Sequence, residues 1–223
     1  MFKVVLVHFN RIFVQKERVI FLLSIDLSAQ TERDNYKLLI GSIIPRPIAF
    51  VTTLTNGGII NGAPFSYFNV VASNPPLLSL SIGRSNGRQK DTARNILDKK
   101  EFVIHIVDEQ NVEKVNQTAA GLPCDQSEID HVGFTPAASL KVSVPGIKES
   151  KIRIECVLEK YLELGDGEAP VCDFIIGRAV QFHIDDEIFH NGRVDPQGLA
   201  AVGRLAGHDY AKIGEIFTLE RPK

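Results

Sequence analysis

The chain has 223 residues, 44% of them apolar, which is enough for one well-filled core and points to a single domain. Its 25 basic and 27 acidic residues give a formal net charge of -2 and are spread along the whole chain. That excludes the concentrated basic surface that a nucleic-acid backbone requires.

Residues 1–25 hold two apolar patches, Val4 to Phe9 and Val19 to Ile25, broken by Arg11, Lys16, Glu17 and Arg18. Neither approaches the roughly 18 apolar residues of a membrane span, and no small-residue cleavage site follows. This stretch is read as an N-terminal extension to a domain over 26–223. Natural translation is expected to start near Leu22 or Leu23, and an extra edge strand is the alternative. Residues 26–43 read as a polar lead-in with a short helix around Arg33 to Ile40. Ile48 to Thr55 is rich in β-branched and aromatic residues, and the turn Asn56-Gly57-Gly58 predicts a hairpin returning through Ile59 to Asn61.

Leu78 to Ile82 alternates apolar residues with serine, the period of a strand with one face on a core. Asp91 or Thr92 is expected to cap a helix running through Leu97 and Lys99, before a buried strand at Phe102 to Val107. Val112 to Ala120 reads as a second helix, and 122–150 as a long surface excursion. Ile152 to Leu164 and Val171 to Ile184 predict a long hairpin around Gly165-Asp166-Gly167. Strands dominate without βαβ alternation. The expected class is therefore mainly β, a closed or partly closed antiparallel barrel with a few peripheral helices.

Several polar groups could carry chemistry. Lys90, Asp91 and Thr92 lie where a helix begins, and free amides, the helix dipole and the lysine charge suit an anion there. The plain alternative is a capped, solvated helix start. Arg46, between two prolines, offers a fork for phosphate oxygens, or else a surface turn charge. Thr52 and Thr53 are adjacent on a strand, so only one can face a given groove. From Asn61 to Asn69, Gly62, Ala63 and Pro64 could bring bare backbone against a flat ring, with Ser66 and Asn69 as polar edges. Of Phe65, Tyr67 and Phe68, at least two read as ordinary core.

His208 could contact an anionic substrate and Tyr210 could stack on a ring. His105 and His183 read as structural. His131 and His190 have no partner at metal-ligand spacing, so no metal site is expected. The three cysteines, Cys124, Cys156 and Cys172, are odd in number and widely spaced, which suits a reducing cytoplasm, and Cys156 and Cys172, in apolar strand-like runs, read as small buried hydrophobes.

Five segments occur in order: PRPIAFVTT at 45–53, NGAPFSYFN at 61–69, NPP at 74–76, KDTARNI at 90–96 and RLAGHDYA at 204–211. Together they resemble the FMN-binding split-barrel family of flavin reductases, and bacterial flavoredoxins in particular, over roughly residues 35–215. The resemblance implies a Greek-key split barrel that binds FMN noncovalently, as a homodimer with the cofactor near the subunit interface. It implies cofactor contacts from Arg46, Pro47, Thr52, Thr53, Asn61, Ala63, Ser66, Tyr67, Asn69, Lys90, Asp91, Thr92 and Asn95. Residues 204–211, with His208 and Tyr210, would close over the site.

Asp91 beside a phosphate would be repulsive unless it pairs with Arg46 or Arg94, so an orienting role is expected for it. No G-x-G-x-x-G fingerprint follows a strand, so NAD(P)H would dock its nicotinamide directly over the flavin. Hydride acceptance at flavin N5 would then be the chemistry, with no catalytic side chain required. The expected function is transfer of electrons from NAD(P)H through FMN to a flavin, metal complex or protein, in the cytoplasm and without membrane or nucleic-acid partners. The alternatives are a non-catalytic FMN electron carrier between proteins and a flavin-free binding module.

Overall fold

The computed structural model of the protein describes residues 22–166 and 169–222. The expectations for residues 1–21, a late start or an extra edge strand, lie outside that range, as does Gly167 of the long hairpin loop. Seven antiparallel strands form the main sheet: β1 (Ala49–Leu54), β2 (Ile60–Phe65), β3 (Phe68–Ser73), β4 (Pro76–Gly83), β5 (Glu101–Ile106), β6 (Ile152–Leu164) and β7 (Cys172–Ile184). Their spatial order is β2-β1-β5-β6-β7-β4-β3.

The two outermost strands, β2 and β3, are consecutive in the chain and separated only by Ser66 and Tyr67. A twisted sheet with its rims joined by so short a link has to roll until they meet. No ladder joins β2 to β3 among the described residues, so the closure leaves a seam. This is the mainly β split barrel expected from the sequence.

The turn between β1 and β2 forms as read. Thr55 closes it through its backbone and hydroxyl, and Gly58 takes a φ of 85° that a side chain would disfavour. β1 is buried on both faces, which explains its nearly continuous apolar run. Ala49 and Val51 face a cluster inside the barrel with Leu80, Ile82, Ile96, Phe102, Ile104 and Ile175. Ile48 and Phe50 face a second cluster with Val107, Val115, Ile129, Phe134 and Ile147. Full burial of a ring such as Phe50 contributes about 2 kcal/mol or more.

Among the described residues, four helices of five residues or more flank the barrel: α1 (Glu32–Ser42), α2 (Asp91–Lys99), α3 (Val112–Gln117) and α4 (Glu128–Val132). Thr31 caps α1, its hydroxyl accepting from the Asp34 amide at 3.2 Å. The N-cap of α2 is Lys90, without a side-chain cap bond, so neither Asp91 nor Thr92 caps it as expected. α3 stops before Ala120: tight turns follow it, and the Thr118 hydroxyl bonds back to the Val115 carbonyl at 2.7 Å.

The segment 122–150 is more than a surface excursion. Ser127 caps α4, Gly133 ends it, and Ile129 and Phe134 pack onto Phe50, the two phenyl rings lying 5.5 Å apart. His105 locks this cover to the barrel. Its Nδ1 pairs with the Phe50 carbonyl and its Nε2 with the Ile147 amide, each at 3.0 Å, and burial depresses its pKa to about 3. A smaller sheet joins Arg46–Pro47, Val202–Arg204 and Tyr210–Lys212, and its Tyr210 packs against the Phe50 cluster. No helix among the described residues is long and apolar enough to cross a membrane.

Candidate functional site

A cleft of about 730 Å³ opens between β2, the segment entering α2, and the turn that follows α3. Asn61, Ala63, Pro64 and Phe65 form one wall, Gln89 to Thr92 another, and Thr118 to Leu122 the third. The sequence folds this way because Gly62 lets β2 approach α4. A Cβ there would stand 2.5 Å from Ile129 Cδ1 and 2.8 Å from Phe50 Cζ, closer than side chains can pack.

The α2 end of the cleft presents hydrogen-bond donors without partners. The amides of Asp91, Thr92 and Ala93 have no acceptor among the described residues, and Lys90 makes no hydrogen bond there. The Lys90 ammonium lies 5.9 Å from the centre of the Phe65 ring. Asp91 is neutralised by pairing with Arg94, one of the two partners considered for it.

The approach to Lys90 is held rigidly. Gln89 donates to Tyr161 Oη and Asp173 Oδ1, both at 2.9 Å, and Arg84 grips the same Asp173, which is fully buried. Burial opposes ionisation of Asp173, but the bonds from Arg84, Gln89 and Tyr161 hold its carboxyl below the usual range.

The floor is a buried polar chain. Asn95 donates to Thr53 Oγ1 at 3.0 Å, while Thr53 and Thr92 donate to Asn61 Oδ1 at 3.2 and 3.0 Å. Asn61 Nδ2 donates to Glu128 Oε2 at 2.9 Å, and the Gly62 amide donates to the same oxygen at 3.2 Å. The structure therefore brings together Asn61, Ala63, Lys90, Asp91 and Thr92 in the cleft walls, with Thr53 and Asn95 beneath them. Glu128 was not read from the sequence, although Ser127 and Asp130 spell a helix start beside it. Its apparent isolation in a loop-rich stretch hid its place beside Asn61.

Other expected contacts lie elsewhere. Arg46 is buried and spends its guanidinium on the carbonyls of Ile40 (2.8 Å), Ile43 (2.7 Å) and Leu205 (2.9 Å), with a long contact to Ser66 Oγ at 3.5 Å. These bonds tie α1 to the 205 loop, so in the single chain the guanidinium that was expected to offer a phosphate fork is engaged by backbone carbonyls. Thr52 points to the outer face, donating to the Pro145 carbonyl at 2.8 Å, and is a packing residue there.

Pro47 is exposed and pairs with Gly203. Ser66 and Tyr67 form the link between the sheet rims, outside the cleft, and exposed Asn69 caps its neighbouring Val70 amide at 2.8 Å. Residues 204–211 do not close over this cleft within one chain. Tyr210 donates to Asn116 Oδ1 on α3 at 2.9 Å and lines a separate cleft of about 360 Å³, while His208 is exposed. No group of three or more metal-ligating side chains occurs among the described residues.

Comparison with known proteins agrees with this architecture. Nitrilotriacetate monooxygenase component B from Bacillus cereus is 55% identical, with a TM-score of 0.88 over 90% of this chain and 100% of that one. The 2-nitrobenzoate 2-nitroreductase NbaA of Pseudomonas fluorescens is 31% identical, with a TM-score of 0.81 over 90% of this chain and 96% of that one. Flavoredoxin of Desulfovibrio vulgaris shares the fold, with a TM-score of 0.71 at 19% identity over 88% of this chain and 97% of that one. Residues 40–198 match the flavin reductase like domain, and the chain belongs to that family.

Proposed function

We propose that the protein is an FMN-dependent oxidoreductase that takes electrons from NAD(P)H and passes them through the flavin to a further acceptor. The observation that carries this reading is the α2 end of the cleft. Three unpartnered amides and an uncommitted lysine converge on a space large enough for a flavin nucleotide, beside the bare backbone of Gly62 to Phe65. That donor set fits a phosphate monoester, with the helix dipole adding to the lysine charge.

Bound FMN would supply hydride acceptance and electron release. The chain would supply binding and orientation: Lys90 and the amides of residues 91–93 toward the phosphate, and Asn61 with the β2 backbone toward the polar edges. Arg94 keeps Asp91 from opposing the phosphate. The Gln89–Asp173–Arg84 ties fix the approach, so little order has to be gained on binding.

The similar proteins are named for a monooxygenase component and a nitroreductase. On that pattern the acceptor is a partner protein, a diffusing flavin or a small oxidant. A second copy of the chain is the proposed partner for the exposed apolar face of Tyr36, Leu39, Ile43, Tyr67, Val70 and Val71. It would bring the Ser66–Asn69 segment and residues 204–211 toward a neighbour's cleft.

The test is the absorbance of the purified protein with added FMN, followed by titration with NADH and NADPH. Flavin bands that stay with the protein through gel filtration and bleach with either nucleotide support the reading. A colourless protein that does not quench FMN fluorescence would overturn it.

A further inference from the structure

One acid in the cleft is not used by the contacts assigned so far. Glu128 is 6% exposed, and its Oε2 is consumed by Asn61 Nδ2 and the Gly62 amide. Its Oε1 has no hydrogen-bond partner among the described residues, yet it is not sealed from solvent, and Glu128 is part of the cleft wall. A buried carboxylate held by one oxygen, with the other presented to a cavity, is an acceptor waiting for a donor.

Its position limits what that donor can be. Thr92 Oγ1 and Glu128 Oε2 meet the two ends of the same Asn61 amide, at 3.0 and 2.9 Å, so Oε1 lies about one side chain from the anion-binding end of α2. A phosphate placed against Glu128 would be repelled. The group beside the phosphate must donate instead, and in a flavin mononucleotide that group is the chain of hydroxyls next to the phosphate ester.

We infer that Glu128 Oε1 accepts a hydrogen bond from the polyol chain of the flavin, making Glu128 a cofactor-binding residue that distinguishes a hydroxylated chain from a bare alkyl one. This rests on the flavin reading above. It assigns to α4, in the stretch that looked like loop, a part in recognition as well as in covering Phe50.

Glu128→Gln suits the test, because the amide oxygen can still serve Asn61 and Gly62 while a donor replaces the free acceptor. Two probes are compared by fluorescence quenching: FMN, and an analogue whose five-carbon chain carries the phosphate but no hydroxyls. The wild-type protein should bind FMN at least about tenfold more tightly than the analogue, as a charge-assisted hydrogen bond implies. In the E128Q variant that ratio should fall below about threefold, while binding of the analogue is unchanged.

A ratio equally large in both proteins would overturn the inference, as would a wild-type ratio near one. A wild-type protein that binds neither probe would remove the flavin reading itself, a distinct outcome. Should circular dichroism show E128Q unfolded, Glu128→Asp, which withdraws the carboxylate by one methylene, carries the same comparison.

Discussion

Glu155 and Glu128 are both buried carboxylates that hold the 122–150 segment to the barrel, and they are satisfied differently. Glu155 on β6 accepts from the amides of Leu140, Lys141 and Val142 at 2.7, 2.6 and 3.1 Å and meets His183 Nε2 at 2.5 Å, so both oxygens are consumed. Glu128 has only one oxygen consumed, by Asn61 and Gly62. The same contrast separates Arg46, whose guanidinium is taken by three carbonyls, from Lys90 at the cleft. Glu155 and Arg46 have their polar atoms engaged within the fold, while Glu128 and Lys90 present free groups to the cleft.

The strongest way to break such engaged groups is acid. His105 has a pKa of about 3 in the fold against 6.5 when unfolded, because the buried neutral ring resists a charge. Between those values the unfolded chain binds the extra proton, so stability is intact above pH 6.5 and falls as pH drops. The loss is about 1.4 kcal/mol per pH unit, or roughly 4 kcal/mol near pH 3. Denaturant midpoints measured from pH 7 to 4 should decline steadily, and a flat profile would refute this role for His105.

Next in size is Glu155→Ala, which strips three amides of their acceptor and is expected to cost about 4 kcal/mol. Urea unfolding measures it, and a cost below about 1 kcal/mol would place the loop's stability elsewhere. Arg46→Ala should cost about 3 kcal/mol by leaving three carbonyls unpaired, with the FMN affinity of the folded fraction little changed. Lost FMN binding at full thermal stability would return Arg46 to the ligand.

Lys90→Ala should do the reverse. FMN affinity should fall by about tenfold or more while the melting temperature of the flavin-free protein stays within a degree or so. Equal affinity in the variant would shift the anion site away from α2.

The positions of β1, β2 and β4 to β7 along the chain were legible, though not their order in the sheet, because alternation, β-branched runs and the Asn-Gly-Gly turn are local signals. The adjacency of Thr52 and Thr53 correctly implied opposite faces, but not which face held the cleft. Lys90 and Thr92 were legible because a helix start announces itself within a few residues. Arg46 and Glu128 were not, since their partners are distant in sequence: Leu205 lies 159 residues from Arg46, and Asn61 lies 67 from Glu128. A charged residue between prolines looks the same on paper whether its hydrogens are spent or spare.

The barrel's seam has a topological consequence. Because β2 and β3 are held together by the Ser66–Tyr67 link rather than by a ladder, the rim-to-rim closure is a covalent tether and not a row of backbone bonds. New termini placed between those two residues would cut that tether while leaving every strand pairing intact. The permuted chain would keep its sheet but open along one line, and the curvature of the cleft wall at Asn61 to Phe65 would then depend on its ladder to β1 and on packing against α2, α4 and the core.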